Sequence, residues 1–113
     1  MMDDLFNVVM RNGVDATVVC QGELDICAVP DVSAALERAL HASDGEVSVD
    51  MQGVRYIDSA CVSTLLRAHD TLEARGSRLV VVAASPVVRR ALQLLGVGDR
   101  LGLAGDPASV LAA

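Results

Sequence analysis

Between residues 29 and 95 the spacing of apolar residues switches back and forth between a helical and an extended period. This alternation constrains the fold more than any other feature of the chain. Val32, Ala35, Leu36, Ala39 and Leu40 recur at three and four, which marks one stripe of a helix. Pro30 and Asp31 suit its first turn, and Ser43-Asp44-Gly45 ends it. Residues 47–51 read as a strand, with Gly53 placed to turn the chain after it. A second helix over 59–75 carries Val62, Leu65, Leu66, His69 and Leu72 on one side, and Gly76 stops it. The run from Leu79 to Ala84 has the character of a central strand covered on both faces. Ser85-Pro86 opens a third helix with Val88, Ala91, Leu92 and Leu95 inward and Gly96 as its stop.

Two short apolar segments, 5–11 and 14–21, precede this pattern and flank Asn12-Gly13, a hairpin turn signal. After it, 101–103 reads as a short last strand, and Asp106-Pro107 opens a final helical turn or two. The order β-β-α-β-α-β-α-(β)-α predicts an α/β fold. It has a mixed sheet of four to five strands with an N-terminal hairpin, covered by about four helices. There is no internal repeat or linker, so residues 1–113 are read as one domain.

Composition removes several function classes. The net charge of -6, from 9 basic and 15 acidic residues, speaks against nucleic acid as a partner, and aromatic residues at 2% leave no stacking platform. All the basic residues are arginine, which excludes the lysine phosphate loop and Schiff-base chemistry. The longest apolar run, Leu79 to Ala84, is far short of the roughly 20 residues that span a bilayer, and the acidic start Met1-Met2-Asp3-Asp4 is unlike a secretory signal. A cytoplasmic protein without direct membrane insertion is expected. Cys20, Cys27 and Cys61 form no C-x-x-C, so each is read as a buried thiol, with no disulfide framework and no metal. The Gly96-Val97-Gly98 stretch follows a helix and lacks dinucleotide-loop spacing, and no G-x-S-x-G is present. His41 and His69 are read as having no ligand partners at metal spacing, with His69 a core or rim histidine. No catalytic residue and no cofactor is expected.

The informative stretch is Val49-Asp50-Met51-Gln52-Gly53-Val54-Arg55-Tyr56-Ile57-Asp58-Ser59-Ala60-Cys61-Val62. A strand ends and an Asp-Ser pair opens a helix. Asp58 is placed to cap it, and Ser59 falls in the first turn at the positive end of the dipole, where a phosphate is well tolerated. On spacing alone, an ordinary capped helix with a solvent-facing serine is the favoured reading.

Gly22-Glu23-Leu24-Asp25, then Pro30 and an apolar helix, then Val-Asp-Met-x-Gly-Val-x-Tyr-Ile-Asp-Ser resembles the STAS domain, and within it the bacterial anti-sigma factor antagonists, or anti-anti-sigma factors. The resemblance runs from about Asn7 to Leu103 and includes the tail pattern Leu92-x-x-Leu95-Gly96-Val97-x-x-x-Leu101. It implies a phosphoprotein that works by partner switching. Ser59 would be phosphorylated by an anti-sigma factor that is itself a serine kinase. The unphosphorylated form would bind that kinase and release a sigma factor for transcription, and a PP2C-type phosphatase would reset the switch. The partner-facing surface then comprises Glu23, Asp25, Asp58, Ser59, Ala60 and Cys61. Cys61 stands where the family usually has glycine, and a side chain there is expected to narrow the kinase's approach. Two roles for that thiol stay open: a small packed group, or a thiolate activated by the helix N-terminus and sensitive to oxidation. STAS-like domains also imply alternatives: an adaptor subunit of a lipid-transport or stress-signalling complex that is never phosphorylated, or a sensor of a small molecule or nucleotide.

Overall fold

The computed structural model describes residues 6–11 and 15–103, with side chains from residue 15 onward. Its elements follow the alternation of periods: β1 (Phe6–Arg11), β2 (Asp15–Leu24), a 3-10 turn (Ile26–Ala28), α1 (Val29–Ala42), β3 (Val47–Ile57), α2 (Ser59–Ala74), β4 (Leu79–Ala84) and α3 (Pro86–Leu94). The strands form one sheet in the order β1-β2-β3-β4. β1 is antiparallel to β2, and β2, β3 and β4 are mutually parallel, so the sheet is mixed as expected. Two successive crossovers in the same direction and of one hand place α1 and α2 side by side on one face, where they pack on each other.

That face holds the core. Ala16, Val18 and Cys20 of β2, Val47, Val49 and Met51 of β3, and Leu79 and Val81 of β4 are buried, together with the predicted stripe of α1. The alternate positions Thr17, Val19, Ser48 and Asp50 are only half-buried, as strand periodicity requires of a sheet covered by these helices on one side. The caps are local and were readable in advance. Ser85 Oγ accepts from Val88 N, and the Gly76 N–H, at a φ of 80°, donates to Glu73 O where α2 ends.

Four expectations change. The strand Leu79–Ala84 is apolar enough for a central position, yet among the described residues it lies at the sheet edge, with Val82 55% exposed. Residues 101–103 form a turn and no fifth strand. Their contribution to the edge is one hydrogen bond, Val81 N–H to Leu101 O at 2.7 Å. Gly53 does not turn the chain, because β3 continues through it to Ile57. There it faces Gln21 across a register shift, where an added Cβ would stand 3.0 Å from Gln21 Cβ. Leu95 closes α3 at 49% exposed instead of facing the core. Among the described residues there are three α-helices and the 3-10 turn. The Asn12-Gly13 turn and the helix expected at Asp106-Pro107 lie outside the described residues.

β3 leaves β4 after the Met51–Ala84 pair but stays paired with β2 until Leu24 and Ile57. This two-stranded extension delivers the ends of β2 and β3 side by side, and the candidate site is built where they stop.

Candidate functional site

At the end of β3, Asp58 leaves the strand in extended conformation (φ -107°, ψ 171°) and becomes the N-cap of α2. Its Oδ1 accepts from Ala60 N at 3.0 Å, and also from Cys61 N at 3.4 Å, an N–H that it shares with Asp58 O at 3.1 Å. Ser59 is therefore the first helical residue, and its side chain is exposed. The positive end of the α2 dipole lies next to it.

The end of β2 is fastened to the same place. Asp58 N–H donates to Leu24 O at 3.2 Å. Asp25 then caps the 3-10 turn, with Oδ1 accepting from Cys27 N at 3.0 Å, while Ala28 N–H donates to Asp25 O at 2.9 Å. Cys61 Sγ lies 3.5 Å from that same carbonyl and donates to it. The sequence-predicted residues Glu23, Asp25, Asp58, Ser59, Ala60 and Cys61 are thus brought to one end of the sheet. Glu23, Asp25 and Ser59 are exposed, Asp58 and Ala60 are half-buried, and Cys61 is buried.

The placement of Cys61 removes the expectation that its side chain narrows the approach to Ser59, because it points beneath the surface. Burial, reinforced by the Asp58 and Asp25 carboxylates, pushes its thiol up to about 11, opposite to the activation weighed from the helix N-terminus. Burial likewise lifts Cys20 to about 12, with Cys61 and Asp50 adding to it. Cys61 is therefore a packed group. A signal for this was present: Cys61 precedes Leu65 by four and Ala68 by seven, which puts it on the buried side of α2. Cys27, read as buried, is exposed on the 3-10 turn.

Two apolar residues at this end escaped the sequence reading. Ile26 is 67% exposed on the 3-10 turn and Tyr56 is 48% exposed near the end of β3. Neither residue type carries a signal for exposure when it stands beside a strand end.

Elsewhere, His69 is buried as expected, but it does have a neighbour at ligand spacing: Nε2 lies 3.6 Å from the Glu73 carboxylate, with Asp70 close by. The trio does not fit a metal ion. Asp70 is held by Arg100 at 3.0 Å, and His69 Nδ1 is buried with no partner, whereas a ligating imidazole needs an acceptor for its second N–H. An open groove between α1 and α2, floored by Leu36, Leu40 and Ala68, does not include Ser59. Among the described residues no helix is long and apolar enough to cross a membrane.

A mixed α/β sheet whose parallel strand ends carry a capped, serine-opened helix defines a class, and comparison with known proteins identifies it. The family model described as "Mlab, STAS domain" matches residues 8–105, and the chain belongs to the STAS domain family. No curated protein matches the sequence. Among solved structures, SpoIIAA, an anti-sigma factor antagonist in its unphosphorylated form, is similar at 24% identity and a TM-score of 0.75, over 93% of this chain and 92% of that one. SpoIIAA of Bacillus in its phosphorylated form is similar at 24% identity and a TM-score of 0.68, over 95% and 97%. An anti-sigma factor antagonist from Mycobacterium paratuberculosis is similar at 22% identity and a TM-score of 0.77, over 95% and 90%. At these identities the likeness is one of fold.

Proposed function

We propose that the protein is an anti-sigma factor antagonist that acts as a binding switch and not as an enzyme. Unphosphorylated, it docks on a kinase-type anti-sigma factor through the surface around Ser59 and frees a sigma factor. Phosphorylation of Ser59 by that kinase ends the complex, and a PP2C-type phosphatase restores it in the cytoplasm. The observation that carries the reading is the exposed Ser59 at the first position of α2, held in register by the Asp58 cap. The likeness to SpoIIAA, solved in both phosphorylated and unphosphorylated forms, supports it.

The physics suits such a switch. A phosphate on Ser59 adds about -1.5 to -2 charge at neutral pH. Within the protein the N-terminus of α2 accommodates it. Across a close-packed interface the added dianion has to be desolvated beside Asp25 and Asp58, whose carboxylates repel it. A 100-fold loss of affinity requires only about 2.7 kcal/mol. The matched family model bears the name Mlab and not that of an anti-sigma factor antagonist, which favours a second reading: a STAS adaptor subunit, in a lipid-transport or stress-signalling complex, that is never phosphorylated.

Intact mass of the protein from its own host, before and after phosphatase treatment, separates the two. A removable phosphate on Ser59 supports the switch. In calorimetry against the purified anti-sigma factor, Ser59→Ala should bind like the unphosphorylated protein and Ser59→Asp more weakly. Equal affinity of wild type, Ala and Asp forms overturns the switch.

A further inference from the structure

Single exposed apolar side chains are ordinary on protein surfaces. Ile26 differs in how it is held and in what surrounds it. The turn that carries it is fixed by four hydrogen bonds already described: Asp25 Oδ1 with Cys27 N, Ala28 N with Asp25 O, Cys61 Sγ with Asp25 O, and Asp58 N with Leu24 O. Two of these come from the start of α2, so the position of Ile26 is tied to that of Ser59. A branched apolar side chain on a backbone that is already ordered sacrifices only its own rotamer freedom on binding. Side chains that fill a well-packed, desolvated pocket near the middle of an interface carry most of its energy.

The charge around it is one-sided. Over residues 21–31 and 52–60 the acidic groups are Glu23, Asp25, Asp31 and Asp58, and Arg55 is the one base. Tyr56, paired with Glu23 across β2 and β3, adds a second exposed apolar surface at the same strand ends.

We infer that Ile26 is the apolar anchor of the surface around Ser59, and that it enters a pocket, rimmed by arginine or lysine, on the partner protein. The inference rests on the reading of that surface as the docking face for a kinase-type anti-sigma factor, and it names the chemistry the partner must present. The full chain is immobilised, and each purified kinase-type anti-sigma factor of the source organism is passed over it, from about 50 to about 500 mM salt. Wild type, Ile26→Ala, Ile26→Val and Ser59→Asp are compared, and thermal melts verify that the exposed Ile26 variants fold as wild type does. Ile26→Ala should weaken the complex about 10- to 100-fold, mainly through faster dissociation, while Ile26→Val stays within about threefold. Wild-type affinity should fall as salt rises. Ile26→Ala within about twofold of wild type while Ser59→Asp loses binding overturns the anchor and leaves the docking face standing. Affinity indifferent to salt overturns the basic rim. Failure of wild type to bind any of these kinases overturns the docking reading and this inference with it.

Discussion

Replacing Cys61 with glycine installs the residue that the resemblance implies at this position, and the burial of Cys61 makes that change destabilising. Cys61 is 1% exposed and is the third residue of α2. Deleting its two buried heavy atoms forfeits about 1–1.5 kcal/mol of burial. Glycine in a helix adds up to about 1 kcal/mol relative to alanine, and less in a first turn. Loss of the weak Sγ donation to Asp25 O adds about 0.5 kcal/mol. The sum is about 2–3 kcal/mol, and for a chain of this length it should lower Tm by about 6–18 °C. Cys61→Ala keeps the helix propensity and should fall roughly midway. The assay is thermal unfolding by far-UV circular dichroism at pH 7, with all three proteins under reducing conditions. A glycine variant that melts within about 2 °C of wild type would show that the side chain is not packed as described, and the account of the departure from the family pattern would fail with it.

Asp58→Ala should lower stability by about 1 kcal/mol through loss of the bonds to Ala60 N and Cys61 N, whereas Asp58→Asn, an equally good cap, should stay close to wild type; chemical denaturation midpoints separate the two. Cys20 and Cys61 hold their protons to about 12 and about 11 in the folded protein against 9.0 when unfolded. Their contribution is therefore complete below pH 9 and lost as pH rises toward 11–12. Midpoints measured from pH 8 upward should fall more steeply in wild type than in the Cys20→Ala, Cys61→Ala double variant. Alkylation followed by peptide mass should label the exposed Cys27 first. Gly102→Ala must adopt a φ of 67° with its Cβ 2.9 Å from Val80 Cγ1, and should cost about 1–3 kcal/mol, read as a lower denaturation midpoint.

What the sequence made legible was what neighbours in the chain decide. The stripe of α1 from Val32 to Leu40, the Asp58 cap and the Ser85-Pro86 start are set by residues three or four apart, and the structure places them as read. The place of β4 was not legible. Whether an apolar strand stands inside a sheet or at its edge depends on which strand pairs with which, and Leu79–Ala84 has the same composition either way. The bulges between β2 and β3 were hidden for a similar reason. Gly53 resembles a turn residue until Gln21 is seen opposite it. At the site, Asp58 and Ser59 were visible as a motif, while the hydrogen bond from Cys61 Sγ to Asp25 joins residues 36 apart in the chain and has no local trace.

The edge of β4 has a consequence for handling the protein. A bare edge strand is a template on which another chain can add, and Val82, with its side chain 55% exposed, lies beside the protected amide. The bond from Val81 N–H to Leu101 O is what occupies this edge among the described contacts, and Leu101 is buried while Gly102 rests on Val80. Opening of the turn at 97–103 would free the Val81 amide of that edge. Shelf life in concentrated solution should then be governed by that small opening and track the population of the open turn, well below the melting temperature.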